Sequence, residues 1–190
     1  MITETKSTSP IQLLYTKEMI EQEELKDENG LTLKEYLKQY DPDRYPKPAV
    51  TADACIFTEK GILMVKRKGH PCIRHWALPG GYANQNEPVE ETAKRELWEE
   101  TGVVTDDMKL VGVYSKPHRD PRDWIITAAF KKVLKAEEID PKAGDDAAET
   151  GWFLPIVENG ILTLKGEGLT LSEEDIAFDH ADIIKDAMKV

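Results

Sequence analysis

The sequence predicts an α+β fold in which a mixed β-sheet lies between helices. Runs of alternating small and apolar residues, read as strands, outnumber the helical runs. The helical runs repeat apolar residues at three- and four-residue spacing. The two kinds are mixed along the chain.

Residues 1–45 read as a helical arm. Residues 16–28 carry helical spacing with a charged outer face, and residues 31–40 repeat it. In the second segment Leu33 and Leu37 stand four apart, as do Tyr36 and Tyr40. Both segments are short, so each needs a surface to pack on. Three prolines in residues 41–48 mark a boundary, and the main domain is expected over 46–190.

From Ala49 the pattern turns to strands. Residues 49–57 alternate, Lys60-Gly61 marks a hairpin turn, and residues 62–67 return. A loop over 68–75 leads to Trp76, and Pro79-Gly80-Gly81 breaks regularity before a helix. Pro88 suits the first turn of that helix, and Val89, Ala93 and Leu97 form its core stripe. Residues 109–115 and 124–134 read as two further strands, 136–149 as a polar loop, and 150–155 as a last short strand. Ser172 with Asp175 resembles a helix start, and the final helix is expected to reach Met188. It would bury Ile176, Ile183, Ile184 and Met188.

At 190 residues the chain holds one sizeable core plus an appendage. No apolar run is long enough to span a membrane, and the N-terminus lacks the features of a secretory signal. Cys55 reads as a core residue and Cys72 as a loop thiol, with no disulfide expected and a cytoplasmic location. Cys and His are too few at ligand spacing for a zinc site. A net charge of −11 argues against nucleic acid as a partner. It also means that a phosphate ligand needs local compensation, from metal ions and from Arg67, Arg74, Arg119 and Arg122.

Residues 81–103, GYANQNEPVEETAKRELWEETGV, are the most informative stretch. On a helix, Glu96, Glu99 and Glu100 share one face. Like charges at that spacing repel, and Glu99 and Glu100 lie in the last turn before Gly102, where the helix dipole disfavours anions. A divalent cation reverses the sign of each term, so the cluster reads as a metal site.

The pattern G-x5-E-x7-R-E-U-x-E-E-x-G-U, with U aliphatic, resembles the Nudix box, and Gly81, Glu87, Arg95, Glu96, Glu99, Glu100 and Gly102 meet it without substitution. The resemblance implies a Nudix α/β/α sandwich. It implies Mg2+-dependent, or Mn2+-dependent, cleavage of a nucleoside diphosphate linked to another group. It also makes Glu96, Glu99 and Glu100 the metal ligands, with the Gly80 carbonyl joining them. Glu87 would sit near the metals, and Arg95 would pair with a box carboxylate. The general base stays open between Glu99 or Glu100 and the loop carboxylates Asp145, Asp146 and Glu149.

The loop over 115–124, SKPHRDPRDW, resembles that of bacterial ADP-ribose pyrophosphatases and of related ADP-ribose-sensing Nudix regulators, as do residues 143–153 and 177–184. This implies a small-molecule nucleotide substrate, ADP-ribose first. Another NDP-sugar, a dinucleotide, an oxidised nucleoside triphosphate, or a non-catalytic sensor role are the alternatives. The regulators carry a separate C-terminal DNA-binding module, and none is expected after the final helix here. Arg119 and Arg122, oriented by Asp120 and Asp123, would bind phosphate or ribose, and Arg67 would face the same pocket. Trp76 or Trp124 would stack the base, or else sit in the core. His118 and His180 read as structural or surface groups. The related pyrophosphatases are often dimers, and the arm would suit an exchanged contact in a homodimer.

Overall fold

The computed structural model of the protein describes residues 25–144 and 147–190. The chain divides into two compact units, Met1–Pro46 and Lys47–Val190.

In the first unit the Asp27 carboxylate accepts from the N–H groups of Asn29 and Leu31, both at 2.9 Å. Lys26 and Thr32 close an antiparallel bridge across the turn. The helical spacing read over residues 16–28 therefore gives way to a turn by Asp27, whose side chain competes for backbone donors. Residues up to 24 lie outside the described residues. Helix α1 (Leu33–Gln39) begins on a capping box. Thr32 N–H donates to Glu35 at 2.8 Å and Glu35 N–H donates to the Thr32 hydroxyl at 3.4 Å. None of its residues is buried.

The second unit is built on nine strands among the described residues: β1 (Ala49–Thr58), β2 (Gly61–Arg67), β3 (Trp76–Ala77), β4 (Gly80–Tyr82), β5 (Lys109–Tyr114), β6 (Ile125–Val133), β7 (Ala147–Glu158), β8 (Ile161–Gly166) and β9 (Leu169–Leu171). Their order is β5-β6-β1-β2-β7-β8-β9, with β3 on β2 and β4 on β1. β1 and β6 run parallel and the other pairs are antiparallel, so the sheet is mixed.

Side-chain alternation sorts β1 between two cores. Ala52, Ala54 and Ile56 pack with Ala93 and Leu97 of helix α2 (Val89–Thr101). Cys55 packs on the other side with Ile183 and Ile184 of helix α3 (His180–Ala187). The sheet thus lies between two helices, an α/β/α sandwich. The predicted stripe of α2 holds, with Ala93 and Leu97 fully buried. Cys55 and Cys72 are free thiols. No described helix is long and apolar enough to cross a membrane.

Two expectations are corrected. The strand read over 150–155 is the middle of the 12-residue β7, which continues into a hairpin with β8. The turn is Asn159-Gly160, with φ of 52° and 83°, the conformation an Asn-Gly pair favours. The helix expected over 172–188 is broken. Ser172 does form a capping box with Asp175, but it starts a single 3-10 turn over Glu173–Asp175. Ile176 then bridges Trp76, and Ala177 N–H donates to the Trp76 carbonyl at 2.8 Å. Pairing with β3 outweighs local helix propensity there. Met188, expected to be buried, is 40% exposed.

Candidate active site

The site begins where a hairpin opens. β1 and β2 pair beside their turn, at Phe57–Ile62 and Thr58–Gly61. Farther along, β4 pairs with β1, setting Gly80 against Asp53, and β3 pairs with β2. The approach is too close for a side chain. A Cβ on Gly80 would stand 2.3 Å from Asp53 Oδ1 and 2.5 Å from the Ala52 carbonyl, and one on Gly81 would stand 2.5 Å from Glu96 Cδ. Gly80 thus lets the segment lie against β1, and Gly81 lets it approach Glu96 of the acidic helix.

Helix α2 carries Glu96, Glu99 and Glu100 into that space and ends on Gly102 in the left-handed conformation, φ 72°. Glu100 is 8% exposed and accepts from Gly80 N–H at 3.0 Å. Burial pushes its carboxyl up to about 8, against the pull of that N–H; Glu96 and Asp53 add to the rise and Arg67 opposes it. Burial also raises Glu96, despite its bond from Arg95.

Arg95 is the hub of the box. Its Nε and Nη2 donate to the two oxygens of Glu87 at 2.9 and 3.1 Å. Nη1 donates to Glu96 at 2.7 Å and to Glu99 at 2.9 Å, and Nη2 also reaches the Tyr82 carbonyl at 2.9 Å. Bonds from Arg95, Asn84 N–H and the Thr92 hydroxyl bring the Glu87 carboxyl down to about 2. The resemblance implied one carboxylate partner for Arg95; the fold supplies three.

Among the described residues no three His, Cys, Asp or Glu side chains already converge as a ligand set. Arg95 draws Glu96 and Glu99 to itself while Glu100 turns to Gly80. The donor chemistry still fits a hard divalent cation. The donors are oxygens, and Glu100 is a buried carboxylate short of positive partners. Arg95 would share Glu96 and Glu99 with such an ion.

The acidic helix lines a cavity of about 390 Å³, and Arg67, Arg119 and Arg122 line it too. Arg67 Nε donates to the Pro71 carbonyl at 2.9 Å. Arg122 is oriented by Asp120, which takes its Nε and Nη2. Burial raises the Asp120 carboxyl, but the bonds from Arg122 outweigh this and hold it below the usual range. Arg119 departs from expectation, because its fork is taken by Asp179, just before α3. Asp123 instead accepts from Trp124 N–H at 2.7 Å.

Trp76 does not bind in this cavity. It is 5% exposed and packs edge-to-face on Phe153 with centroids 4.8 Å apart, because β3 points it into the core on the α3 side. Trp124 is exposed and lies outside the cavity lining. Glu149 also lies outside; it projects from β7 and pairs with Lys66. Asp145 and Asp146 lie outside the described residues. Among the described residues before them, Gly144 N–H donates to the Glu100 carbonyl and Lys142 N–H to that of Thr101, both at 2.9 Å.

Three residues escaped sequence reasoning, and His180, read as a structural or surface group, joins them as a buried part of the cavity wall. Asp53 is 5% exposed and accepts from the Thr127 hydroxyl. His180 Nδ1 accepts from Leu78 N–H at 2.9 Å, so the proton of the neutral ring sits on Nε2, 3.7 Å from Asp53. Burial lowers the His180 pKa and keeps that ring neutral. Phe178 and Tyr82 also line the cavity. A lone acid in the apolar run 49–57 was the available signal for Asp53; nothing local marked Tyr82.

Known proteins share this arrangement. The NUDIX domain pattern matches residues 47–160. An ADP-ribose pyrophosphatase of Methanocaldococcus jannaschii is 40% identical over 149 residues, covering 76% of each chain. A MutT/nudix family protein of Enterococcus faecalis superposes with a TM-score of 0.72 at 35% identity, over 84% of this chain and 69% of that one. The NUDIX domain of Shewanella oneidensis NrtR, solved with ADP ribose, gives a TM-score of 0.65 at 26% identity, over 84% and 98%. With the box intact on α2 and matched over most of the second unit, the chain belongs to the Nudix family and is a Nudix hydrolase.

Proposed function

We propose that this enzyme hydrolyses ADP-ribose to AMP and ribose 5-phosphate with Mg2+, and that Mn2+ substitutes. One observation carries the reading: a carboxylate-bearing helix face lines one cavity together with Arg67 and Arg122, as a metal-assisted reaction on a diphosphate requires. The similar pyrophosphatase and the ADP-ribose-bound NUDIX domain support the choice of substrate.

Glu96, Glu99 and Glu100 would hold the metal, with the Gly80 carbonyl as a further donor; the ion would supply charge neutralisation for the diphosphate and activation of water. The chain does the rest. Water oxygen bonds to one phosphorus, the bridging P–O bond breaks, and the water proton passes to a carboxylate. Of the described candidate bases, Glu99 and Glu100 line the cavity and Glu149 does not. Arg67 and Arg122 offset the charge of the diphosphate, while Arg95 keeps Glu87, Glu96 and Glu99 in position. In this reading the domain spans residues 46–190, residues 1–45 are an arm suited to a homodimer contact, and the enzyme is cytoplasmic.

The test is a substrate panel with Mg2+: ADP-ribose, other NDP-sugars, dinucleotides and oxidised nucleoside triphosphates. AMP and ribose 5-phosphate are the expected products. Turnover elsewhere with none on ADP-ribose rejects the assignment. Likeness to the NrtR domain favours one second reading, an ADP-ribose sensor. Saturable ADP-ribose binding without metal-dependent turnover would support that instead.

A further inference from the structure

Phe178 lies beyond the segment matched by the family pattern, yet it lines the cavity. Its backbone has φ 55°, a conformation that a bulky residue rarely adopts. Its neighbours impose it. Ala177 N–H is tied to the Trp76 carbonyl on one side, and Asp179 is tied to Arg119 on the other. An outlier of this kind, held from both flanks in a cavity wall, points to a role there.

Its surroundings indicate which role. The Arg67 guanidinium stands 5.2 Å from the Phe178 ring centroid and that of Arg122 stands 5.6 Å away. Arg122 also stands 5.1 Å from the Tyr82 ring. One aromatic ring therefore serves two cations from separate elements, the end of β2 and the loop before β6. Asp120 offsets the charge of Arg122, whereas Arg67 bonds a neutral carbonyl, so an anion between the two guanidiniums remains favoured. Both keep donors for one. Arg67 bonds through Nε and Arg122 through Nε and Nη2, leaving both terminal nitrogens of Arg67 and Nη1 of Arg122 without hydrogen-bond partners among the described residues.

We propose that Phe178 is a positioning residue: its ring presents Arg67 and Arg122 together, as a two-guanidinium clamp for the diphosphate of the substrate. This rests on the reading above for the substrate class, but not on ADP-ribose in particular. The ring gives each planar cation a π-face to lie against and restricts its rotamers, so the clamp is formed before ligand arrives.

The experiment compares wild type with Phe178→Leu, Phe178→Met and Phe178→Tyr, alone and with Arg122→Ala. Two readouts are taken with Mg2+ present: steady-state kinetics on ADP-ribose and calorimetric binding of inorganic pyrophosphate. Loss of the ring should raise KM and weaken pyrophosphate about tenfold, while kcat falls less than threefold. Tyrosine should recover most of the affinity. With Arg122 already removed, losing the ring should cost less than in wild type. A wild type that does not bind pyrophosphate overturns the clamp. So does unaltered affinity in the folded Leu and Met variants, or a full additive penalty beside Arg122→Ala. Should both ringless variants fail to fold, the comparison moves to Arg67→Lys and Arg122→Lys, which keep the charge and lose the planar group; unaltered pyrophosphate affinity in both overturns it as well. Pyrophosphate binding without ADP-ribose turnover rejects the substrate assignment and leaves the clamp standing.

Discussion

Arg119 and Asp179 close a two-pronged ion pair across 60 residues of sequence, with side chains 4% and 16% exposed. The pair ties the loop before β6 to the start of α3, and so links two walls of the cavity. Arg119, a candidate phosphate ligand by sequence, is held through Nε and Nη2 and is buried, whereas Arg122, held by Asp120 through the same two nitrogens, is 37% exposed.

Removing one partner leaves the other charge buried. Asp179→Ala should therefore lower stability by about 3 kcal/mol, more than a surface pair would cost. Urea unfolding measures it. A loss under about 1 kcal/mol would mean that the pair is solvated in solution.

Glu96→Gln and Glu100→Gln keep volume and remove charge. Each should cut kcat by two or more orders of magnitude, roughly the contribution expected of a metal ligand or base, without loss of the fold. Circular dichroism and turnover are read together. Normal activity in both variants contradicts the site assignment.

The Glu100 carboxyl gives metal-free protein a defined pH response. Its folded pKa of about 8 exceeds the ordinary 4.5, so the folded state binds the extra proton between those values. The stability it contributes is complete below about pH 4.5 and is lost as pH climbs through about 8, by at most on the order of 5 kcal/mol. With chelator present, Tm should fall across that window. Glu100→Gln should flatten the slope, and Mg2+ should restore Tm at the alkaline end. A slope equal in wild type and variant assigns the effect to another group.

Adjacent glycines should behave differently. A methyl on Gly81 meets the mobile end of Glu96, whereas one on Gly80 meets the Ala52 carbonyl. Gly81→Ala should fold with near-normal Tm and lose most activity, because Glu96 is displaced. Gly80→Ala should lower Tm itself by roughly the cost of a backbone shift, about 1–3 kcal/mol. The reverse pattern would contradict the packing described.

Much of this was legible along the chain because it is periodic or local. The α2 stripe at Val89, Ala93 and Leu97 follows from helical spacing, and Glu96, Glu99 and Glu100 share a face for the same reason. Gly102 was readable as a helix stop because its left-handed conformation costs glycine little. The Asn159-Gly160 hairpin was equally local and went unread.

Other features depend on long-range pairing. Trp76 has the composition of a base-stacking residue, but β3 turns it into the core. Ser172 and Asp175 encode a helix start, yet pairing of Ile176 with Trp76 ends the turn after three residues. Asp179 orients Arg119 only because α3 packs beside the loop before β6. By itself, the sequence determined the mixed α+β class and the carboxylate helix, since backbone periodicity and charge spacing are properties of neighbouring residues; the sandwich followed from the resemblance to the family. Tertiary structure alone decided which arginines remain available to a ligand and that Phe178, Asp53 and His180 share their cavity, because partners far apart in the chain compete for the same side-chain donors and faces.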